Sequence, residues 1–332
     1  MADVSSDYNF RPRRGLQHAH LQTIAGNFLP RRNLLPPGEP RRFVVDEHRS
    51  GTRIQVECVC HWQPNRTEAM TVIIVHGLEG SVESQYVIGT GSKAWAAGMS
   101  VVRMNMRNCG DTETLTPTLY HSGLSADVGA VAKALIEEEG LQRISIVGFS
   151  MGGNLALKLA GEWSDHAPKQ VKAFATVSPA IDLAASADAL HSWSNWLYEQ
   201  RFLRGLRKRY QRKAMLFPDV YDLAHLRRFA SIREFDHEIT ARYEGFTGAD
   251  DYYHRAAAAR VVEQIRVPTL VLHAKDDPFI RILPETRAKL AANPAVRFVE
   301  TSHGGHCAFL APPNGYDGRW AERVLIDFIC SG

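Results

Sequence analysis

Residues 144–153 read Ile-Ser-Ile-Val-Gly-Phe-Ser-Met-Gly-Gly, an apolar β-branched run that breaks at a glycine and passes through a serine into a helical pattern. No other segment restricts the fold as tightly. A G-x-S-x-G between a strand and a helix demands a sharp, strained turn that lifts the serine hydroxyl above a sheet edge. Residues two before and two after the serine are pressed together in such a turn, and Gly148 and Gly152 avoid a Cβ clash there. The following helix aims the positive end of its dipole at negative charge developing beside the serine. Five characters alone occur by chance; the strand–turn–helix context is what a chance match lacks. Ser150 is therefore expected to be a nucleophile.

The same alternation surrounds this segment. Short β-branched runs at 71–75, 101–104, 144–147 and 174–177 alternate with helical stretches at 85–97, 125–139 and 151–162. Apolar strands separated by amphipathic helices mean crossover connections and a parallel sheet covered on both faces. Ahead of them, 42–45 and 54–60 read as two strands around Ser50-Gly51, an antiparallel start to the sheet. The rhythm stops after Pro179 and resumes with strands at 269–273 and 296–300 and helices at 284–291 and 320–329. The expected fold is α/β, a mostly parallel, doubly wound sheet with one helical insertion. The expected division is an N-terminal extension over 1–40, irregular except near 20–24, a core over 41–181 and 259–332, and a helical cap over 182–258. An insertion leaving the carboxyl ends of parallel strands lies over the crevice where such sheets bind ligands.

Composition excludes several alternatives. In 332 residues, 45% are hydrophobic and 23% charged, which suits a large core and not a disordered chain. A net charge of +3 is too mild to make nucleic acid the main partner. The five cysteines, Cys58, Cys60, Cys109, Cys307 and Cys330, are odd in number and show no C-x-x-C pair, so free thiols in a reducing compartment are expected. The N-terminal segment has no apolar core of a secretory signal, and no run approaches the ~18 apolar residues of a membrane span. The expected location is the cytoplasm.

A serine hydroxyl needs a base to take its proton and a third group to orient that base. In the strand–turn–helix context the order along the chain is serine, acid, histidine. The strand at 269–273 runs into Ala274-Lys275-Asp276-Asp277-Pro278, so Asp276 and Asp277 compete for the acid. Asp277 is favoured by resemblance: proteins with this kind of serine turn usually carry their acid three residues after a small residue that closes this strand, and Ala274 is that residue here; Asp276 is expected to cap the turn. Ser302-His303-Gly304-Gly305-His306 likewise offers two bases. His306 is favoured because Gly304-Gly305 allows a flexible approach to Ser150, leaving His303 at the strand end. Backbone N–H groups of Leu78, in His76-Gly77-Leu78-Glu79-Gly80, and of Met151 are expected to form the oxyanion hole. His76 is expected to order that loop by hydrogen bonding. There is no H-E-x-x-H or comparable cluster, so neither metal nor cofactor is expected.

These residues, in this order, resemble the YheT-like branch of the α/β-hydrolases. The resemblance runs nearly the whole chain, through His20-Leu21-Gln22-Thr23, His76 to Ser81, Tyr120-His121-Ser122-Gly123 with Asp127, Gly148 to Asn154, Phe235-Asp236, Gly245-Phe246 with Tyr252-Tyr253, His273 to Phe279 and His303 to His306. It implies a carboxylic ester hydrolase acting on short- to medium-chain acyl esters or acylglycerols, with eukaryotic relatives acting on monoacylglycerols and phospholipids. It also supports Asp277 and His306 over their neighbours. One departure is Arg107-Asn108-Cys109-Gly110, where the family usually carries glycine in place of Asn108, so a different loop backbone is expected.

Two rival functions share the scaffold: acyl transfer through the same acyl-enzyme, and ligand binding without catalysis. The run from Arg201 to Lys213 carries seven basic residues in thirteen. Phe202, Leu203, Leu206 and Tyr210 recur at helical spacing within it and extend a face begun by Trp193, Trp196 and Leu197. This reads as a cap helix packed by its apolar face on the sheet. Its basic face is either solvated or in peripheral contact with an anionic membrane.

Overall fold

A computed structural model describes residues 8–332; the first seven, within the segment judged above for a secretory signal, lie outside it. The described chain begins with helix α1 (Ala19–Phe28), so the stretch expected to be irregular carries a ten-residue helix. Strands β1 (Glu39–Glu47) and β2 (Arg53–His61) then pair antiparallel. Gly51 between them sits at a φ of 78°, a conformation that favours glycine in the turn.

The βα rhythm follows as β3 (Thr71–Val75), α2 (Gln85–Ala96), β4 (Ser100–Met104), α3 (Ser125–Glu139), β5 (Ile144–Phe149), α4 (Met151–Trp163) and β6 (Val171–Val177). After β6 come α5 (Leu183–Leu190) and the long α6 (Trp196–Leu216). The short α7 (Ile232–Phe235) and α8 (Arg242–Glu244) flank a π-helical turn at Asp236–Ala241, and α9 (Ala249–Ala256) completes the insertion. The chain returns through β7 (Thr269–Ala274), α10 (Pro284–Ala292), β8 (Val296–Thr301) and α11 (Trp320–Cys330).

The eight strands form one sheet in the order β1-β2-β4-β3-β5-β6-β7-β8. β1, β2 and β4 are joined by antiparallel pairings, and the other neighbours are parallel. Every residue of β3, β4, β5 and β7 is buried, as strands covered on both faces require. Period-two alternation divides them. Ile73, Val75, Ile144 and Ile146 pack with Val128 and Leu135 of α3 and Leu155 of α4, whereas Val72, Ile74, Val147 and Phe149 pack with Val87 of α2 and Leu325 of α11.

This topology positions the site. β3, β5, β6, β7 and β8 are mutually parallel, so the loops after them emerge along one edge of the sheet. Those loops carry His76 to Gly80, Ser150, Ser178, Asp276 with Asp277, and Ser302 to His306. The helices inserted between β6 and β7 leave from that edge, and the chain re-enters the sheet at the opposite edge, where the parallel β7 begins. Among the described residues, no helix is long and apolar enough to cross a membrane.

Candidate active site

Ser150 stands between β5 and α4 at φ 54° and ψ −116°, a strained conformation for a residue with a side chain. The turn is held by its backbone: Ser150 N–H donates to Val177 O at 3.0 Å, and its carbonyl accepts from Asn154 and Ala180. A Cβ on Gly148 would lie 2.3 Å from Gly152 O, which is the crowding that the sequence implied. A Cβ on Gly152 would instead meet His76 O at 2.4 Å, so the second glycine lets α4 close against the end of β3.

That end is the loop with Leu78. Met106 N–H donates to His76 Nε2 at 3.1 Å, so the ring proton is on Nδ1 and donates to Gly77 O at 2.8 Å. Burial pushes this imidazole down to about 4, and it stays neutral while ordering the loop. Gly77 N–H is taken by the Tyr86 hydroxyl at 2.9 Å and Gly80 N–H by Gly77 O. Leu78 itself follows Gly77, whose Cβ position lies 3.0 Å from Ser150 Cβ. Met151 is the first residue of α4, where an N–H has no partner within the helix. Both N–H groups expected to serve an oxyanion therefore belong to elements that meet at Ser150.

The two aspartates have separate partners. Asp277 is fully buried, and its Oδ2 lies 2.8 Å from His306 Nδ1. Its Oδ1 accepts N–H groups of Phe279 and Ile280 at 3.2 and 2.9 Å. Burial alone would raise this carboxyl, but His306 and those donors outweigh it and hold the group below its ordinary range. Asp276 Oδ1 accepts Gly305 N–H at 2.9 Å, and its Oδ2 lies 3.4 Å from the half-exposed His303. Asp276 thus pins the histidine loop.

His306 is held from three sides. Its N–H donates to Thr23 Oγ1 on α1 at 2.9 Å, Cys307 N–H donates to Ser178 Oγ at 3.1 Å, and the Phe279 ring stands 4.4 Å from the imidazole. Gly305 has φ 57°, and a Cβ there would lie 2.7 Å from Ala19 O. Gly305 thus allows close packing against α1, while a Cβ on Gly304 would meet Phe309 and Ala274 at 2.6 and 2.8 Å. Among the described residues no hydrogen bond joins Ser150 Oγ to His306; Nε2 lies 3.7 Å from Cys307 Sγ. Ser150 and His306 nevertheless line one opening, with Leu78, Tyr86 and Cys307. Catalytic hydrogen bonds are often long before substrate arrives.

Several roles at the site were illegible in the sequence. Thr23 and Asp276 position the His306 loop, and Arg209 of α6 reaches down to the loop after β3. Arg209 Nε donates to Glu79 Oε1 at 3.2 Å, where the Tyr120 hydroxyl also donates at 2.6 Å, and Arg209 Nη1 donates to Asn108 O. Asn108 has φ 64°, a left-handed conformation that asparagine tolerates, and its amide donates to Thr118 O. The asparagine thus takes a backbone conformation that glycine favours, so no rearranged loop need follow from the substitution.

The helices after β6 enclose an apolar chamber above Ser150, lined by Leu78, Met151, Leu183, Leu190, Phe202 and Leu206 among others. The basic run of α6 is less exposed than its sequence suggests. Arg209 is held as described, Arg212 lies 3.0 Å from Glu113, and Lys213 is buried with its Nζ on the carbonyls of Glu113 and Thr116. Leu203, Leu206 and Tyr210 pack inward, but Trp193, Trp196 and Leu197 are exposed and do not continue that packed face.

Residues 71–313 match the family profile described as alpha/beta hydrolase fold. The protein YheT of Escherichia coli (strain K12), named as an esterase, is 32% identical over 335 residues, covering 98% of this chain and 94% of that one. A phospholipase of Bos taurus is 29% identical over 262 residues; the match covers 78% of this chain and 63% of the relative's length. Among solved structures, an esterase of Pyrococcus furiosus superposes with a TM-score of 0.57 at 15% identity, covering 89% of this chain and 92% of that one.

Proposed function

Because the chain belongs to the alpha/beta hydrolase fold family, on its YheT-like branch, we propose that it hydrolyses carboxylic esters through an acyl-enzyme on Ser150. The observation that carries this reading is that His306, paired with the buried Asp277, lines the same opening as a serine held in a strained turn. His306 Nε2 takes the Ser150 proton as Oγ attacks the ester carbonyl, then gives it to the departing alcohol. Asp277 fixes the ring with Nδ1–H toward the carboxylate and stabilises the imidazolium. N–H groups of Leu78 and Met151 receive the oxyanion, each such donor contributing about 2.7–4 kcal/mol to the transition state. Water activated by His306 then releases the acid. The names of YheT and the phospholipase, with the apolar chamber, support acyl esters or acylglycerols of short to medium chain as substrates. Five free thiols support a reducing, cytoplasmic setting.

The test is a series of p-nitrophenyl esters from acetate to dodecanoate, followed by rapid mixing. A burst of p-nitrophenol matching the enzyme concentration is expected, with faster turnover of intermediate chains. Added alcohol reports on transfer: esters of that alcohol as the main product would make the protein an acyltransferase using the same site. Turnover no faster than buffer across the whole series would sink both activities.

A pH dependence follows from the acid–base pair. Burial alone would lower the His306 imidazole, but Cys307 and Asp277 beside it more than compensate, and the group is raised above its ordinary 6.5. A general base works only when neutral. A raised value keeps the imidazolium to higher pH, so activity is lost as pH falls through that value. The acid limb of kcat/KM is expected above 6.5 in a pH–rate profile with a soluble ester, and a limb at or below 6.5 would contradict the assignment.

A further inference from the structure

Helix α1 is inside out. Its buried residues are Gln22, Thr23 and Gly26, whereas Leu21, Ile24 and Phe28, at helical spacing, are 52%, 45% and 71% exposed. The polar face is inward for a reason. Gln22 accepts Leu310 N–H and donates to Leu16 O, and Thr23 accepts His306 N–H while donating to Ala19 O. A helix that spends its polar residues on the catalytic loop turns its apolar stripe to water, where nothing among the described residues covers it.

The turn at Trp193–Asn195 and the start of α6 stand next to it in the same state, with Trp193, Trp196 and Leu197 exposed by 94%, 56% and 74%. His20 Nδ1 lies 3.2 Å from the Tyr198 hydroxyl, with the two rings stacked at 5.7 Å, so the two apolar segments are joined. Between them lies the opening that holds Ser150 and His306, walled by Ile24 and Phe28 from α1 and by Tyr198, Arg201 and Phe202 from α6. Apolar patches of this kind on a soluble surface mark interaction sites.

Charge selects the partner. Arg201 at the mouth of the opening, with Arg204 one turn along α6 and Arg32 shortly after α1, is exposed, and none of the three makes an ion pair among the described residues. Arg209, Arg212 and Lys213, further along α6, are engaged within the fold. A second copy of the chain seated here would cover the opening to Ser150, while a lipid surface would feed it. We propose that α1 and the start of α6 dock the protein on an anionic lipid–water interface, from which an acyl ester enters between Phe28 and Phe202. The docking surface is thus α1 with the Trp193 turn and the start of α6, in place of the whole basic run from Arg201 to Lys213. This inference rests on the ester-hydrolase reading for its purpose but not for its geometry.

The test uses the full chain with phosphatidylglycerol vesicles and with phosphatidylcholine vesicles, read by cosedimentation and by tryptophan emission. Binding to the anionic vesicles at low salt with a blue shift from Trp193 and Trp196 is expected, weaker by about tenfold on phosphatidylcholine or at high salt. The variant Leu21→Gln/Trp193→Ser/Leu197→Gln alters only exposed side chains outside the opening. It is expected to bind about tenfold or more weakly while hydrolysing p-nitrophenyl butyrate normally. Arg212→Gln is expected to bind as the parent does. The proposal is overturned if the parent ignores anionic vesicles at low salt, if the triple variant binds unchanged, or if the triple variant instead dissociates a dimer found without lipid. Vesicle binding without turnover of any ester would sink the functional reading and leave the surface standing; turnover of soluble esters without binding would do the reverse.

Discussion

Ser150→Ala is expected to lower ester hydrolysis roughly 10⁴- to 10⁶-fold and leave the protein folded, since removal of a triad nucleophile costs about that much in enzymes of this mechanism. The fold should survive because the turn depends on backbone groups. The bonds from Ser150 to Val177, Asn154 and Ala180 are all made by its N–H and carbonyl, which alanine retains. Alanine must adopt the same φ of 54°, a strain the serine already bears. A fluorophosphonate probe, which reacts with an activated serine, should label the parent and not the variant. Circular dichroism and thermal unfolding then separate lost chemistry from lost structure. Equal labelling of the two proteins, or activity within about tenfold of the parent, would remove Ser150 from the mechanism.

The second expected result distinguishes adjacent residues. Asp277→Asn and His306→Ala should each cost on the order of 10⁴-fold or more in kcat, because the imidazole is lost outright or held in the wrong tautomer. Asp276→Asn should retain most activity, since the substituted amide would keep an oxygen to accept the Gly305 N–H that Asp276 now binds. His303→Ala should be similarly mild, because that ring is half exposed and, among the described residues, makes its one ion pair with Asp276. The double variant Ser150→Ala/His306→Ala should be scarcely slower than either single change, since the three groups act as a unit. A crippled Asp276→Asn beside an active Asp277→Asn would show that the acid had been assigned one residue too late.

The strands and the turn were legible because local forces set them. Val-Ile-Ile-Val in β3 and Ile-Ser-Ile-Val in β5 can be stable only as strands covered on both faces, and the observed sheet covers them so. The antiparallel start at β1 and β2 was equally readable from two strand-like runs about a serine–glycine turn. The crowding at Gly148 follows from peptide sterics alone, whatever packs around it.

Other features had no such local cause. Asp276 and Asp277 are neighbours of one type, and which carboxylate turns toward His306 depends on how the chain leaves β7 and where the loop after β8 lies. The Thr23 hydroxyl and the His306 N–H that it receives are 283 residues apart, and no periodicity within α1 foretells that its polar side faces the catalytic loop. Arg209 reads as one cation in a basic run until the cap closes and sets it on Glu79, 130 residues away. By itself the sequence determined the α/β architecture, the strained serine turn and the short list of acids and bases, because strand burial and turn sterics act over a few residues. Which of those groups meet, and why α1 shows its apolar side to water, was decided only by tertiary packing, where contacts distant in sequence override local pattern.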